Sequence, residues 1–319
     1  MSFTGDVKEE LSRQISSARH CQIAEIAAII SLCGHISISE KNLYRIRIHT
    51  ENISVARKYF TLLKKTFNIN TGVSIRQNMA LRKSRVYIIT IDGHEDSYRV
   101  LQAAKLIDGD DIAENLSVAD NIVIQQSCCK RAFLRGAFLS AGSVSDPAKG
   151  YHFEIACATE AKAGQIRDVM KSFDIDAKII QRKKYFVVYI KEGTQIADIL
   201  NIMEAHVALM EFENVRILKE IRNGVNRKFN CETANITKTV SAAVKQKQDI
   251  EYIRDTIGLD GLQEGLAEIA RARLELPEAT LKELGEGLEP PVGKSGVNHR
   301  LRKLSSIADA LREERGETV

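Results

Sequence analysis

Hydrophobic and polar positions alternate along this chain with two different rhythms. The stretch Cys21 to Cys33 is almost wholly apolar and predicts a buried helix ending at Gly34. Tyr44-Arg45-Ile46-Arg47-Ile48-His49 then alternates strictly, predicting a strand with Tyr44, Ile46 and Ile48 inward and Arg45, Arg47 and His49 outward. A helix follows with Ala56, Tyr59, Phe60, Leu63 and Phe67 on one stripe. Asn68-Ile69-Asn70 leads into a strand, a basic turn holding Arg76, Arg82, Lys83 and Arg85, and the strand Arg85 to Ile91.

The same order returns about 108 residues later. Cys128 to Ala141 is the second opening helix, followed by Gly142, the strand Tyr151 to Ile155, and a helix with Ile166, Val169, Met170 and Phe173 inward. Asp174-Ile175-Asp176 leads into a strand, the basic turn of Lys178, Arg182, Lys183 and Lys184, and the strand Tyr185 to Ile190. Each copy thus reads helix, two strands, helix, two strands, closed by a helix near Asp96 to Ile107 or Thr194 to Leu209. Ala24, Ala27 and Ala28 in one opening helix and Ala132, Gly136 and Ala137 in the other permit close packing between the copies. Gly34 and Gly142 would end these helices near a shared axis, through a left-handed backbone or a tight turn. The predicted class is α+β, a pseudo-twofold domain followed by an all-α module.

A helix around Asp198 to Lys219 leads into a stretch rich in asparagine and base. Lys219 to Lys247 holds seven Lys and Arg against two Asp and Glu. Asn226, Arg227, Asn230, Asn235 and Lys238 offer donors for phosphate oxygens or base edges. The competing reading is a solvated linker in which Asn230 or Thr233 caps a helix from Asn235 to Gln248. Short helices then run from Asp249 to Ile257, Leu262 to Glu275 and Glu278 to Leu288, where Thr280 and Glu283 fit a reciprocal cap. The last helix, Lys294 to Arg312, turns Val297, Leu301, Leu304, Ala308 and Leu311 inward and Lys294, Ser295, Asn298, His299, Arg302 and Lys303 outward. A supporting helix, a turn and a basic-faced helix is the order of a helix-turn-helix. A small solvated bundle has the same periodicity.

Composition narrows the function. With 319 residues, 44% hydrophobic, the chain supports one large or two ordinary domains. No run approaches the roughly 18 apolar residues of a spanning helix, and the first residues lack a secretory pattern, so the expected location is the cytoplasm and nucleoid. Forty-six Lys and Arg against 42 Asp and Glu give a net charge of +4, too small to choose between enzyme and polyanion binder. No tryptophan and 6% aromatics disfavour a stacking platform for single strands. The six cysteines, at 21, 33, 128, 129, 157 and 231, show no zinc-knuckle spacing and read as buried reduced thiols; neither metal nor cofactor is expected.

Ile26 to Gly34 and Leu134 to Gly142 both resemble the nine-residue signature of LAGLIDADG homing endonucleases. In that family two such helices pack together, and an acidic residue before each final glycine holds the divalent metal for phosphodiester cleavage. The matching positions here are Cys33 and Ala141, former metal positions without an oxygen ligand. Hard Mg²⁺ takes several oxygens, and Glu40, Asp92 and Asp146 do not recur at one place in both copies. The resemblance implies the scaffold without the cleavage, and hence no catalytic residues.

Leu134 to Val144, Asn226 to Thr239 and Lys294 to Leu301 together resemble the WhiA family, over essentially the whole chain. The resemblance implies a degenerate LAGLIDADG-type domain joined to a helix-turn-helix of sigma-factor region-four type. It implies double-stranded DNA as partner and a regulatory role in cell division, chromosome segregation or sporulation. It also implies, in actinobacterial members, a small iron-sulfur regulatory protein as partner. The division expected is a helical extension over 1–17, the LAGLIDADG-like domain over 18–218 with repeats about 18–110 and 125–212, a basic connector over 219–248, the helix-turn-helix over 249–313 and a polar tail over 314–319. Asn298 and Arg302 are the expected base readers, with Lys294, Ser295, His299 and Lys303 as phosphate or mixed contacts and Arg45, Arg47 and the turn residue Lys184 on phosphate. The alternative is an interaction or architectural scaffold with weak DNA specificity.

Overall fold

The computed structural model describes residues 2–38, 43–77, 85–107 and 121–316, which fall into two compact units, Met1–Glu220 and Ile221–Val319. Unit 1 opens with α1 (Phe3–Arg13) and then repeats one pattern twice. The first copy is α2 (Arg19–Cys33), β1 (Gly34–Ile38), β2 (Tyr44–Thr50), α3 (Ile53–Phe67), β3 (Gly72–Gln77), β4 (Arg85–Ile91) and α4 (His94–Ala103). The second is α5 (Ser127–Ala141), β5 (Gly142–Val144), β6 (Phe153–Cys157), α6 (Glu160–Lys171), β7 (Lys178–Arg182), β8 (Tyr185–Ile190) and α7 (Gly193–Ile202). Each copy forms an antiparallel four-stranded sheet, in the orders β1-β2-β4-β3 and β5-β6-β8-β7. The expected α+β duplication is what the chain folds into.

Local chemistry places the helix ends. The Asn52 side chain accepts hydrogen bonds from the Ser54 and Val55 amides at the start of α3, and Thr159 accepts from Lys162 at the start of α6. The chain leaves these helices through left-handed residues in matching places, Asn68 (φ 57°) and Asp174 (φ 61°). In α3 the residues Ala56, Tyr59, Leu63 and Phe67 are buried as predicted, whereas Phe60 lies exposed. Its position is one residue off the buried row, on the flank of the helix.

The two copies join through α2 and α5, and the joint is unusually tight. A Cβ on Gly136 would stand 2.6 Å from the Glu25 carbonyl oxygen and 3.0 Å from the Ala28 Cβ, so only a hydrogen side chain fits. Gly34 and Gly142 end the two helices, but not in the left-handed conformation expected as one option: their φ angles are −80° and −86°. Space is the reason for glycine, because a Cβ would meet the Ile30 carbonyl oxygen at 2.5 Å or Phe138 Cα at 2.7 Å.

A buried ion cluster lies across this joint. Lys58 Nζ is 2.6 Å from Glu25 Oε1 with both side chains fully buried, and donates to the Leu11 and Gln14 carbonyls. Arg135 reaches Glu25 Oε1 at 3.5 Å, Glu204 Oε2 at 2.6 Å and the Met203 carbonyl. Burial pulls the Lys58 ammonium below its ordinary range, opposed by the Glu25 charge. The segment expected as an extension is part of this core: α1 buries Phe3, Val7 and Leu11, Thr4 pairs with the Val144 backbone, and Lys58 holds its last carbonyls.

α8 (His206–Ile257) runs through the basic connector expected over 219–248 without a break, in place of the competing linker with a separate capped helix from Asn235. It contains no proline, and its one glycine, Gly224, costs about 1 kcal/mol, too little to break so long a helix. It ends where Gly258 turns left-handed at φ 77°. Among the described residues no helix is long and apolar enough to cross a membrane.

Unit 2 packs the end of α8 with α9 (Glu264–Glu275), α10 (Leu281–Glu286) and α11 (Lys294–Glu314). Its core is Ile250, Ile253, Leu266, Ile269, Leu284, Leu288, Val297, Leu301, Leu304 and Ala308. Thr280 and Glu283 form the reciprocal cap predicted for α10.

Replacing Gly136 by alanine should destabilise unit 1 by about 1–3 kcal/mol through overpacking, whereas Gly164→Ala, with no atom within 4 Å of the new Cβ, should stabilise it by about 0.5–1 kcal/mol. Chemical denaturation of the two variants should therefore move in opposite directions. Glu25→Ala should cost about 3–5 kcal/mol in the same assay, since it leaves the buried Lys58 without its counter-charge.

Candidate nucleic-acid interface

The second half of unit 2 brings six expected contact residues onto one helix. α11 is held by Val297, Leu301, Leu304 and Ala308 on its inner face. Lys294, Ser295, His299, Arg302 and Lys303 are exposed on the outer face, with Asn298 half-buried at its edge. Gly293 stands at the N-cap without a side-chain cap, so the first amides of the helix point to solvent beside Lys294 and Ser295. Lys303 reaches Gln263 Oε1 at 3.3 Å, and Arg302, Asn298 and His299 make no side-chain hydrogen bond or ion pair among the described residues. Arg300, also basic, is turned inward and donates to the Gly265 carbonyl. Arg312 closes the far end of the bundle on buried Asp249 at 2.9 Å.

The corner between α10 and α11 is set by one glycine. The Gly285 carbonyl accepts from the Val292 amide at 2.9 Å, and a Cβ on Gly285 would lie 2.0 Å from the Val292 carbonyl oxygen. The supporting helix therefore lies backbone to backbone against the turn that precedes α11, and this contact fixes the angle at which α11 is presented.

Asn226, Arg227, Asn230, Asn235 and Lys238 are all exposed on α8. At 100° per residue they fall within one half of the helix circumference. The opposite stripe carries exposed Ile221, Val225, Phe229, Ile236 and Val240.

In unit 1 the strand β2 has the predicted alternation, with Tyr44, Ile46 and Ile48 buried and Arg45 and Arg47 exposed. Register places His35 beside Arg47 and Ser37 beside Arg45, and His35 and His49 stack edge to face at 4.8 Å. Arg45 is tied to Asp92 at 3.0 Å, leaving Arg47 and Arg76 as the uncommitted guanidinium groups of this face among the described residues. Burial, then the charges of His35, Arg76 and Arg47, hold His49 below the ordinary histidine range. The basic turn residues Arg82 and Lys83, and Glu40, lie outside the described residues.

The second sheet differs. Glu154 sits on its outer face with His152 Nε2 at 2.9 Å, Arg182 NH1 at 2.9 Å and Ser143 Oγ at 3.3 Å. These partners keep its carboxyl below the usual range despite burial. Lys184 is exposed on the following turn, its ammonium 5.4 Å from the Tyr185 ring centre. One outer face is thus cationic and the other largely self-neutralised.

Cys33 and Ala141 end the paired helices. Cys33 donates to the Ile29 carbonyl at 3.2 Å, and burial pushes its thiol up, partly offset by Ser140, Tyr59, Lys8 and Lys162. Asp146 is used in its own turn, accepting from the Ala148 amide, and Asp92 by Arg45.

One cysteine expectation needs correction. Cys128 and Cys231 are exposed rather than buried. Moreover, His20, Cys21, Cys128 and Cys129 converge, with their donor atoms within 4.8 Å of one another. A search for short spacings misses this group because its halves are 108 positions apart in sequence. That interval is the repeat itself, which equates His20 with Cys128 and Cys21 with Cys129.

Comparison with known proteins follows the same division. Residues 19–107 match the family model described as the WhiA N-terminal LAGLIDADG-like domain, 130–222 the WhiA LAGLIDADG-like domain, and 225–308 the WhiA C-terminal HTH domain. The chain is 57% identical to the "Probable cell division protein WhiA" of Lachnoclostridium phytofermentans, over 98% of this chain and 100% of that protein. It is 48% identical to the protein of the same description from Alkaliphilus oremlandii, over 98% of each. Its fold is similar to the crystal structure of full-length DUF199/WhiA from Thermatoga maritima, with a TM-score of 0.59 and 25% identity over 97% of this chain and 99% of that one.

Gly285→Ala should destabilise unit 2 by about 1–3 kcal/mol or more, because the new methyl group meets backbone and not a movable side chain. Amide exchange across α10 and α11 is the measurement; protection unchanged from the parent would remove the glycine from its place at the corner.

Proposed function

The chain belongs to the WhiA family, and we propose that it is a sequence-specific DNA-binding regulator, transcriptional in action, that serves cell division, chromosome segregation or sporulation without cutting DNA. The observation that carries this reading is the outer face of α11, where Lys294, Ser295, His299, Arg302 and Lys303 are exposed on a helix whose other face is locked in the unit 2 core. Such a helix enters the major groove. Asn298 and Arg302 then meet base edges, asparagine suiting adenine and arginine guanine, while Lys294, Ser295, His299 and Lys303 hold phosphate.

A single helix-turn-helix covers a small area of duplex, so further phosphate contacts strengthen the complex. Arg47 and Arg45 on the first sheet, Lys184 on the second, and Asn226, Arg227, Asn230, Asn235 and Lys238 on α8 supply them in this reading. The cationic first sheet contributes more than the second, where Glu154 already engages Arg182.

Loss of cleavage rests on the donor set. A thiol at Cys33 and a methyl group at Ala141 stand where a hard dication needs oxygens, and the charges acting on Cys33 are those of Lys8 and Lys162. Lys162 donates to the Ser31 carbonyl in the same region. The carboxylates of Asp92 and Asp146, the described candidates to replace the missing oxygens, are engaged by Arg45 and the Ala148 amide.

Arg302→Ala should narrow the preference for a target duplex over a scrambled one by about 1–3 kcal/mol in quantitative binding assays. An equal loss on both duplexes would make it a phosphate contact. Arg47→Ala should instead weaken both equally and flatten the salt dependence by about one unit of slope, with a smaller change for Arg182→Ala. Supercoiled plasmid incubated with the protein and Mg²⁺ or Mn²⁺ should stay intact, and chelator-sensitive nicking would refute the non-cleaving assignment.

A further inference from the structure

The geometry points to a structural zinc site made by His20, Cys21, Cys128 and Cys129, which joins the first turns of α2 and α5. All four donor atoms lie within 4.8 Å of one another. His20 Nδ1 is 3.1 Å from Cys129 Sγ and 3.4 Å from Cys21 Sγ. Tetrahedral Zn²⁺ with bonds of about 2.3 Å to sulfur and about 2.0 Å to nitrogen needs donors roughly 3.5–3.8 Å apart. The observed separations bracket that range, so small side-chain rotations close the site without moving either helix.

The donor set and its surroundings favour this ion. Three thiolates and an imidazole suit borderline-soft Zn²⁺ and not hard Mg²⁺ or Ca²⁺. All six cysteines are free thiols, so none of the three is committed to a disulfide. The donors occupy the first turns of helices that have no acidic residue there and no side-chain cap, at Ala18 and Gln126. Anionic sulfur at those positions meets the positive ends of both helices. With three thiolates on one dication the centre carries one net negative charge, which both helix ends favour.

Crowding works against the thiols without an ion. Burial first, then the charges of Cys21 and Cys128, push the Cys129 thiol up to about 12, and burial also raises Cys21. A dication reverses this by stabilising the thiolates: one Zn²⁺ binds, three S–H bonds break and three protons pass to solvent. Affinity therefore rises with pH. The ion's role is structural, since four protein ligands leave no open position, and it fastens the two repeats at the ends of α2 and α5 opposite to Gly34 and Gly142.

Full-length protein, purified without a histidine tag or chelator and under reductant, should hold about one zinc per chain by elemental mass spectrometry. Cys231→Ser should retain that zinc. Cys128→Ser, at an exposed position, should keep its circular dichroism and lose zinc by about tenfold or more. Chelation should lower the thermal midpoint of the parent protein and leave that of Cys128→Ser unchanged. Cobalt added anaerobically to the metal-free parent should give the visible bands of a tetrahedral thiolate complex, which removes any dependence on variant folding. Parent protein that takes up neither zinc nor cobalt stoichiometrically, or a Cys128→Ser protein with the parent's metal content and cobalt spectrum, would overturn the site.

Discussion

Backbone contact between α2 and α5 sets the other distances in unit 1. Because Gly136 faces the Glu25 carbonyl with no room for a methyl group, the two copies of the repeat are brought into one register at one separation. That separation lets Arg135 and Lys58 share the Glu25 carboxylate, and it makes the buried charge tolerable, since a carboxylate without both partners would be strongly destabilising. It also brings the two helix C-termini together at Cys33 and Ala141 and the two N-termini together at His20, Cys21, Cys128 and Cys129. One steric fact therefore produces a helix end that carries a thiol and a methyl group on one side of the pair and a convergent set of soft donors on the other.

Duplication did not leave two equal surfaces. The inner faces of both sheets share the buried alternation that the common core demands, whereas their outer faces have diverged in charge. His35, Arg47 and Arg76 lie exposed on the first sheet around half-buried His49, which burial and then their charges depress. On the second, Glu154 gathers His152 and Arg182 into an internal pairing. Packing constrains the inner faces of both copies alike; nothing in the core constrains the outer ones, so electrostatic character could separate there without loss of fold.

Much of this was legible in the residue order, and what was legible was local. The alanine and glycine positions of the opening helices, the alternation of Tyr44 to His49, the Thr280–Glu283 cap and the apolar row of α11 each follow from neighbours within a few residues. The unbroken α8 was harder, because exposed helix and solvated loop have similar composition, and asparagines favour caps and turns when no tertiary contact decides. Glu25, Lys58 and Arg135 come from three separate elements, and no periodicity shows that they meet. The cysteine and histidine group needed the repeat interval to be applied to side chains outside the signature, where Cys128 and Cys129 read simply as buried reduced thiols. Gly34 and Gly142 read as helix ends near a shared axis, although the reason for glycine is crowding against the preceding turn and not an unusual dihedral angle.

The position of α1 has a consequence for how the chain is made. Its residues are translated well before their partners: Thr4 bonds to Val144, Gln14 to Arg135 and to the Glu204 carbonyl, and the two Glu10 oxygens accept from the Val207 and Ala208 amides at the start of α8. Until translation has passed Ala208, the amphipathic α1 has an apolar face and not all of the residues that receive it. The nascent α1 must therefore stay sheltered or loosely docked while both repeats assemble, and its seating is the event that marks the first unit as finished.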